Sequence, residues 1–139
     1  MRILGLDVGD RRIGVAVSDP TGFIATGLTT IKRQSGDDDV EAVAGFIREY
    51  DPEVLVVGLP KNMDGTVGFQ AKKVLEFIEA IKGIYDRKIV TWDERLTTVS
   101  ANRLMAEKKT KVGKRKAEVD KIAACYILQG YLDSGLHKK

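Results

Sequence analysis

The chain has 139 residues, of which 43% are hydrophobic and 31% charged, and this balance is typical of a folded globular domain. No apolar run approaches the ~18–20 residues that a membrane-spanning helix needs, and the first residues lack the apolar core of a secretion signal. We therefore expect a cytoplasmic protein without membrane contact. The single histidine, His137, and the single cysteine, Cys125, argue against histidine-based catalysis, a His/Cys zinc site and an internal disulfide.

The net charge of +3 is unevenly distributed along the chain. Residues 108–116, here called the basic segment, carry six positive charges and no negative charge, so the remainder is mildly acidic. Clustered cations of this kind bind phosphate groups with salt-sensitive affinity. The alternative is a solvated connection between two helices, and we expect this segment to form a loop in either case.

The first third of the chain predicts three strands joined by short turns. Residues 2–8 form an apolar run, residues 13–18 alternate, and residues 24–31 follow a turn at Asp19 and Pro20. Short connections of this kind predict an antiparallel meander.

The remaining pattern alternates helices and strands. It predicts, in chain order, a helix over 37–50, a buried strand over 54–57, a helix over 71–81, a strand over 89–92, a helix over 98–107 and a final helix after the basic segment. The order βββαβαβαα indicates an α/β fold with a five-stranded mixed sheet, three antiparallel strands followed by two parallel ones, and helices on both faces. We see no linker, so residues 1–139 are expected to form a single domain.

Three carboxylates occupy unusual positions in this pattern. Asp7 ends the first strand, Glu94 follows the fifth, and Asp120 is expected in the first turn of the last helix. The carboxyl ends of parallel strands meet at one edge of a sheet, where α/β proteins place their sites. Clustered carboxylates repel one another, and divalent cations such as Mg²⁺ relieve that repulsion through oxygen ligands. Two ions about 4 Å apart activate a water and stabilise the leaving oxygen of a phosphodiester.

Each carboxylate also has a simpler interpretation. Asp7 is equally compatible with capping the turn at Gly9, Glu94 with an ion pair to Arg95, and Asp120 with stabilisation of its helix N-terminus.

Four stretches together resemble the YqgF family of the RNase H-like superfamily, whose members are described as candidate Holliday junction resolvases or pre-16S rRNA nucleases. The stretches are LDVGDRRIGVAVSD (6–19), VVGLPKNMDGT (56–66), WDERLTT (92–98) and VDKIAACYILQGYL (119–132). The resemblance implies an RNase H-like fold with an antiparallel second strand. It also implies a metal-dependent nuclease site in which Asp7, Glu94 and Asp120 are the catalytic and metal-binding residues, with two Mg²⁺ or Mn²⁺ ions as cofactors.

Several polar residues are candidates for substrate binding around this site. Those expected to contact phosphate or base groups are Lys114, Arg115 and Lys116 of the basic segment, Arg11 and Arg12 of the first turn, and Lys61 and Asn62 after the central strand. Ordinary hairpin or turn chemistry explains the last four almost as well. Gly14, Ala16 and Ser18 share one strand face, which suits either a close nucleic-acid backbone or tight helix packing.

The leading hypothesis is a metal-dependent endonuclease that acts on structured RNA or branched DNA, with the 5′ end of precursor 16S rRNA as the favoured substrate. Ribosomal precursor particles are then expected as partners, and the protein is expected to be a monomer or a homodimer. The alternatives are a Holliday junction resolvase, a non-catalytic nucleic-acid-binding factor and, less favoured, an ATP-using enzyme of the actin-like class.

Overall fold

The computed structural model describes residues 1–62, 64–94 and 113–138, with the backbone alone for 113–120 and 138. Five strands form one sheet in the order β3-β2-β1-β4-β5. Their bounds are β1 Ile3–Val8, β2 Arg12–Ser18, β3 Ala25–Lys32, β4 Val54–Leu59 and β5 Lys88–Asp93. The β1–β2 and β2–β3 pairs are antiparallel, whereas β1–β4 and β4–β5 are parallel. The predicted mixed sheet is therefore confirmed.

Three helices cover the two faces of this sheet, namely α1 Gly36–Tyr50, α2 Phe69–Lys82 and α3 Gly113–Ser134. One apolar cluster joins α1 and α2 to side chains such as Leu4, Leu6 and Val8 of β1. A second cluster joins α3 to the opposite face, where Ile3 and Val56 point. Strand alternation thus divides β1 and β4 between two cores, and β4 is buried along its whole length, as its apolar run predicted.

The start of α1 contains an interaction that the sequence did not predict. Ser35 caps the helix by accepting a hydrogen bond from the Asp38 N–H. Asp39, in the first turn, is 3% exposed and pairs with Arg33 at 2.9 Å. This buried pair ties the end of β3 to α1.

The last helix starts earlier than the sequence predicted. The basic segment was expected to be a loop through residue 116, but Gly113 to Lys116 already belong to α3. The expectation was wrong because Lys, Arg, Ala and Glu favour a helix without supplying the apolar stripe by which a helix is detected. Asp120 is consequently the eighth residue of α3 and does not lie in its first turn. The rest of the basic segment and the helix predicted over 98–107 lie outside the described residues.

Among the described residues, no helix is long and apolar enough to cross a membrane. The cytoplasmic location stays a prediction.

The turn between β2 and β3 is held by one carboxylate. Asp19 accepts hydrogen bonds from the Phe23 and Ile24 N–H groups at 2.8 and 2.9 Å and from the Thr21 hydroxyl. These donors favour the ionised form and hold the pKa of Asp19 well below its ordinary value of 3.8.

We expect Asp19→Asn to destabilise the fold in a pH-dependent manner. Because the folded-state pKa is depressed, the stabilisation from the Asp19 charge is present above the unfolded pKa of 3.8 and is lost as pH falls towards the folded value. The difference in urea midpoint between parent and variant should be largest near neutral pH and shrink below about pH 4. Asp86→Asn, at another exposed turn, controls for the loss of one negative charge. A difference independent of pH would contradict the assignment.

Candidate active site

Asp7 is a buried carboxylate near the carboxyl end of β1. It is 6% exposed and lies directly opposite Gly14 of β2. Strand alternation places it on the same face as Ile3 and Gly5, which is the face covered by α3. The Gly9 N–H of the following turn donates to the Arg12 carbonyl at 2.9 Å. This backbone hydrogen bond closes the turn.

Glu94 directly follows β5 and is 7% exposed. Such burial is unlike an ordinary surface ion pair, and the predicted partner Arg95 lies outside the described residues. The register pairs Leu6 of β1 with Val57 of β4, so the next residue, Gly58, is level with Asp7. Glu94 Oε1 lies 3.3 Å from the position that a Cβ on Gly58 would occupy. The two carboxylates therefore flank Gly58 from either side on one face of the sheet.

Asp120 belongs to the part of α3 where the backbone alone is described, one turn before Ala124. Its carboxylate lies outside the described residues, and its assignment stays a prediction. Among the side chains that the structure describes, no three His, Cys, Asp or Glu residues form a group able to hold a metal ion.

Helix α3 is held close to the sheet by three glycines. A Cβ on Gly27 of β3, Gly5 of β1 or Gly58 of β4 would lie 2.8, 2.8 or 2.4 Å from a side-chain atom of α3. The small residues of β2 serve the same packing, because Ala16 is fully buried in the α3 core. The Ser18 hydroxyl accepts a hydrogen bond from the Ile3 N–H at 2.8 Å. Of the two readings of this strand face, the structure supports tight helix packing.

Comparison with known proteins identifies the family. The model of RuvX, described as Holliday junction resolvase, matches residues 1–134. The chain belongs to the RuvX family. The resemblance inferred from the motifs is confirmed.

Curated relatives agree over nearly the whole chain. A Clostridium novyi protein named as a candidate pre-16S rRNA nuclease is 58% identical over 134 residues, which cover 96% of this chain and 99% of the relative. A Clostridium acetobutylicum protein of the same name is 55% identical over the same coverage.

Solved structures show the same fold at low sequence identity. Thermus thermophilus RuvC in complex with a Holliday junction substrate has a TM-score of 0.62 at 13% identity, and the match covers 98% of this chain and 97% of RuvC. The fowlpox virus Holliday junction resolvase has a TM-score of 0.53 at 19% identity, covering 96% and 99%. The RNase H-like fold expected of a RuvX-family chain is thus observed.

The predicted substrate-binding cations lie around the carboxyl end of the sheet and at the start of α3. Arg11 and Arg12 are in the β1–β2 hairpin, with Arg11 exposed and Arg12 partly buried. Lys114, Arg115 and Lys116 follow Gly113 at the N-terminus of α3, where their side chains lie outside the described residues. Cations at a helix N-terminus oppose the helix dipole and so cost stability. Helix stability therefore does not account for this charge pattern.

The loop after β4 has a structural explanation of its own. The Asn62 side-chain amide donates to the Thr66 hydroxyl at 2.9 Å, and the Asn62 carbonyl accepts from the Gly65 N–H at 2.8 Å. These hydrogen bonds support the interpretation that Asn62 stabilises the turn after β4. Substrate contact by Asn62, and by the partly exposed Lys61, stays a prediction.

The sequence analysis did not single out Gly58, which lies between the two acids. The available signal was a glycine that interrupts a buried apolar run, because such a glycine often marks close approach of another group.

We expect Gly58→Ala to destabilise the protein by about 1–3 kcal/mol through overpacking. The new methyl would lie 2.4 Å from Ile127 Cδ1 and 3.3 Å from Glu94 Oε1, so that the buried Ile127 side chain, α3 or the carboxylate has to shift. Gly45→Ala in the interior of α1 is the matched control, because nothing lies within 4 Å of its Cβ position. Helix propensity predicts that the control gains up to about 1 kcal/mol. Urea unfolding measures both changes, and equal effects at the two sites would refute the packing argument.

Proposed function

We propose that this chain is a metal-dependent endonuclease that hydrolyses phosphodiester bonds in structured nucleic acid, with precursor 16S rRNA as its substrate. The observation that carries the proposal is the pair of buried carboxylates, Asp7 and Glu94, on either side of Gly58 at one face of the sheet. The substrate assignment is supported by the names of relatives that are 55–58% identical over nearly the whole chain.

The residues present fit divalent metal ions. Two carboxylates held within a largely apolar layer carry a desolvation cost that a bound cation offsets. Both supply oxygen ligands, the type that Mg²⁺ and Mn²⁺ prefer. Gly58 contributes no side chain between them, so the space beside Glu94 Oε1 is not filled by a residue of β4.

The geometry of α3 supports adding Asp120 to this pair. Asp120 precedes Ile127 by seven residues, which is about two helical turns or ~10.5 Å along the same side of the helix. Ile127 packs over Gly58 of β4. Gly14 of β2 lies two strands from Gly58 in the same row, at about 9.6 Å, with Asp7 between them. The two spacings match, and this supports a position of residue 120 over Gly14, the neighbour of Asp7.

In the proposed mechanism the chain positions ligands and substrate. Asp7 and Glu94 have fixed positions because β1 is an interior strand and the β5 end packs beneath α3. Asp7, Glu94 and Asp120 would hold Mg²⁺ or Mn²⁺ ions, whose positive charge would favour attack by water and stabilise the leaving oxygen. Ile127 closes the inner side of the acid pair, so the scissile phosphate approaches from the open carboxyl end of the sheet.

The surrounding cations bind the phosphate backbone of the substrate. Arg11 and Arg12 lie beyond Asp7, Lys61 follows β4, and Lys114, Arg115 and Lys116 precede Asp120 along the chain. Phosphate contacts of this kind hold a nucleic acid in register without reading its sequence.

We expect Asp7→Asn and Glu94→Gln each to reduce divalent-metal-dependent cleavage of a precursor 16S rRNA fragment by at least about 100-fold. The reason is that each change removes charge-stabilising ligation needed in the transition state. Affinity for the fragment should change little, since the substitutions leave the surrounding cations in place. Cleavage rate under single-turnover conditions and equilibrium binding measure the two effects separately. Asp120→Asn should behave like Asp7→Asn.

Glu76→Gln, at an exposed position of α2 in the opposite layer, controls for loss of one carboxylate and should retain full activity. An Asp7→Asn protein that still cleaves, after purification that removes other nucleases, would rule out the mechanism.

We further expect Mn²⁺ to bind the parent protein in calorimetric titration and to bind Asp7→Asn at least about 10-fold more weakly, because one anionic ligand is lost. The titration is run with and without the RNA fragment, since nucleic-acid phosphates supply further oxygen ligands. Binding that is the same in parent and variant under both conditions would instead favour a nucleic-acid-binding factor without hydrolysis.

A second candidate is Holliday junction resolution, favoured by the description of the matching family. A resolvase cuts two strands and is expected to act as a dimer, whereas a processing nuclease has no such requirement. Parallel cleavage assays on precursor rRNA and on a DNA four-way junction, each with the Asp7→Asn protein, separate the two substrates.

A further inference from the structure

A second polar site lies at the carboxyl end of the sheet, on the side covered by α1 and α2. It is a cavity of about 650 Å³ where the β1–β2 hairpin, the β3–α1 connection and α2 meet, and we call it the hairpin pocket. Its walls include five cations, namely Arg11, Arg12, Lys32, Arg33 and Lys73. The walls are polar and strongly basic, unlike the mostly apolar pockets that enclose small organic ligands.

The two carboxylates of the hairpin pocket are each held by a cation. Asp39 pairs with Arg33 at 2.9 Å, and Asp10 pairs with Lys73 at 3.2 Å. Hydrogen bonds from Gln70 and Lys73 also lower the pKa of Asp10, so this carboxylate is engaged by two donors. Both acids are thus compensated, and three positive charges remain in excess.

Among the described residues, the three remaining cations, Arg11, Arg12 and Lys32, form no ion pair. Moreover, Arg12 of β2 lies directly opposite Lys32 of β3 in the antiparallel register. Like charges directly opposite each other destabilise a strand pair. An anion bound between them removes this repulsion, and a phosphate oxygen is an acceptor suited to both arginine and lysine.

The hairpin pocket is adjacent to the carboxylate site. Asp7 is paired with Gly14, and Arg12 precedes Gly14 by two residues on the same strand face. The diagonal separation of such positions across antiparallel strands is about 7–8 Å. Arg11 and Lys32 are exposed at the rim. Arg12 therefore connects the two sites: it lies near Asp7 on the α3 face and also lines the hairpin pocket, which a nucleic-acid strand reaches over the hairpin at the end of the sheet.

We propose that the hairpin pocket binds a backbone phosphate of the nucleic-acid substrate, next to the phosphate that is cleaved. Arg11, Arg12 and Lys32 contact the phosphate, while Arg33 and Lys73 are held by Asp39 and Asp10 and form the walls. The inference rests on the proposed nuclease function for the identity of its ligand. It assigns Lys32, which the sequence did not single out, as a binding residue.

The test measures salt-dependent binding to a DNA four-way junction in the Asp7→Asn background, so that cleavage does not interfere. Each phosphate contact contributes about 0.9 to the slope of log affinity against log salt on B-form DNA. Lys32→Gln and Arg11→Gln should each reduce the magnitude of the slope by about that amount. The loss of affinity should accordingly be about 3.5-fold larger at ~50 mM than at ~200 mM salt. A precursor 16S rRNA stem is tested in the same way.

Lys82→Gln is the matched control, because Lys82 lies at the opposite end of α2 from Lys73 and outside the hairpin pocket. Its slope should equal that of the parent. The thermal midpoint of Lys32→Gln should be no lower than that of the parent, since a repulsion is removed, and this excludes misfolding as the cause of weaker binding.

Unchanged slopes for both hairpin variants on DNA and RNA would overturn the proposal. Inorganic phosphate is titrated against the parent and followed by NMR. This titration tests whether the pocket binds a free phosphate ion instead of a nucleic-acid backbone phosphate. If inorganic phosphate binds at Arg11 and Lys32 while the slopes stay unchanged, the hairpin pocket takes a free phosphate, and the backbone assignment is wrong. An Asp7→Asn protein that still cleaves would refute the catalytic proposal and leave the slope result standing.

Discussion

The close packing of α3 against three glycine positions of the sheet determines the rest of the site. Lys121 lies over Gly27 of β3, Leu128 over Gly5 of β1 and Ile127 over Gly58 of β4. Side chains at these positions would hold the helix away from the sheet and change its path. The path decides which residues of α3 come near Asp7 and Glu94, so the geometry of the acid site depends on side chains that are absent. These glycines fix the position of α3 because they have no Cβ, and their role does not depend on backbone flexibility.

Much of this arrangement follows from the sequence, because the informative signals are local. Apolar runs and short turns predicted all five strands, and the carboxyl-edge rule placed Asp7 and Glu94 at one end of the sheet. The start of α3 was misplaced because residues 113–118 form a helix without an apolar stripe. Gly58 was missed because its role depends on Ile127, a contact between residues 69 positions apart in sequence. The local pattern marks the glycine as a point of close approach but does not identify the residue that approaches it.

The buried ion pair of Asp39 with Arg33 shows a similar limit. Three consecutive aspartates at a helix start suggested a dipole effect for all of them, whereas the fold buries only Asp39. Arg33 also donates to the Gly9 carbonyl at 2.8 Å and lies over the Phe77 ring. One arginine thus joins the β1–β2 hairpin, β3, α1 and α2 at the end of the sheet. A sequence pattern identifies such a residue as charged but does not show its several partners.

Two unfavourable electrostatic arrangements lie next to each other at this end of the molecule. The buried carboxylates Asp7, in β1, and Glu94, after β5, lie on either side of Gly58. Two residues before Gly14, the β2 partner of Asp7, Arg12 lies opposite Lys32 of β3. Each arrangement brings like charges close together, and the two have opposite signs. A nucleic-acid strand with its divalent cations relieves both, since the cations bind the carboxylates and the phosphates bind the arginine and lysine. The pairing of the two anomalies therefore argues for a single phosphate-containing ligand with bound metal more strongly than either does by itself.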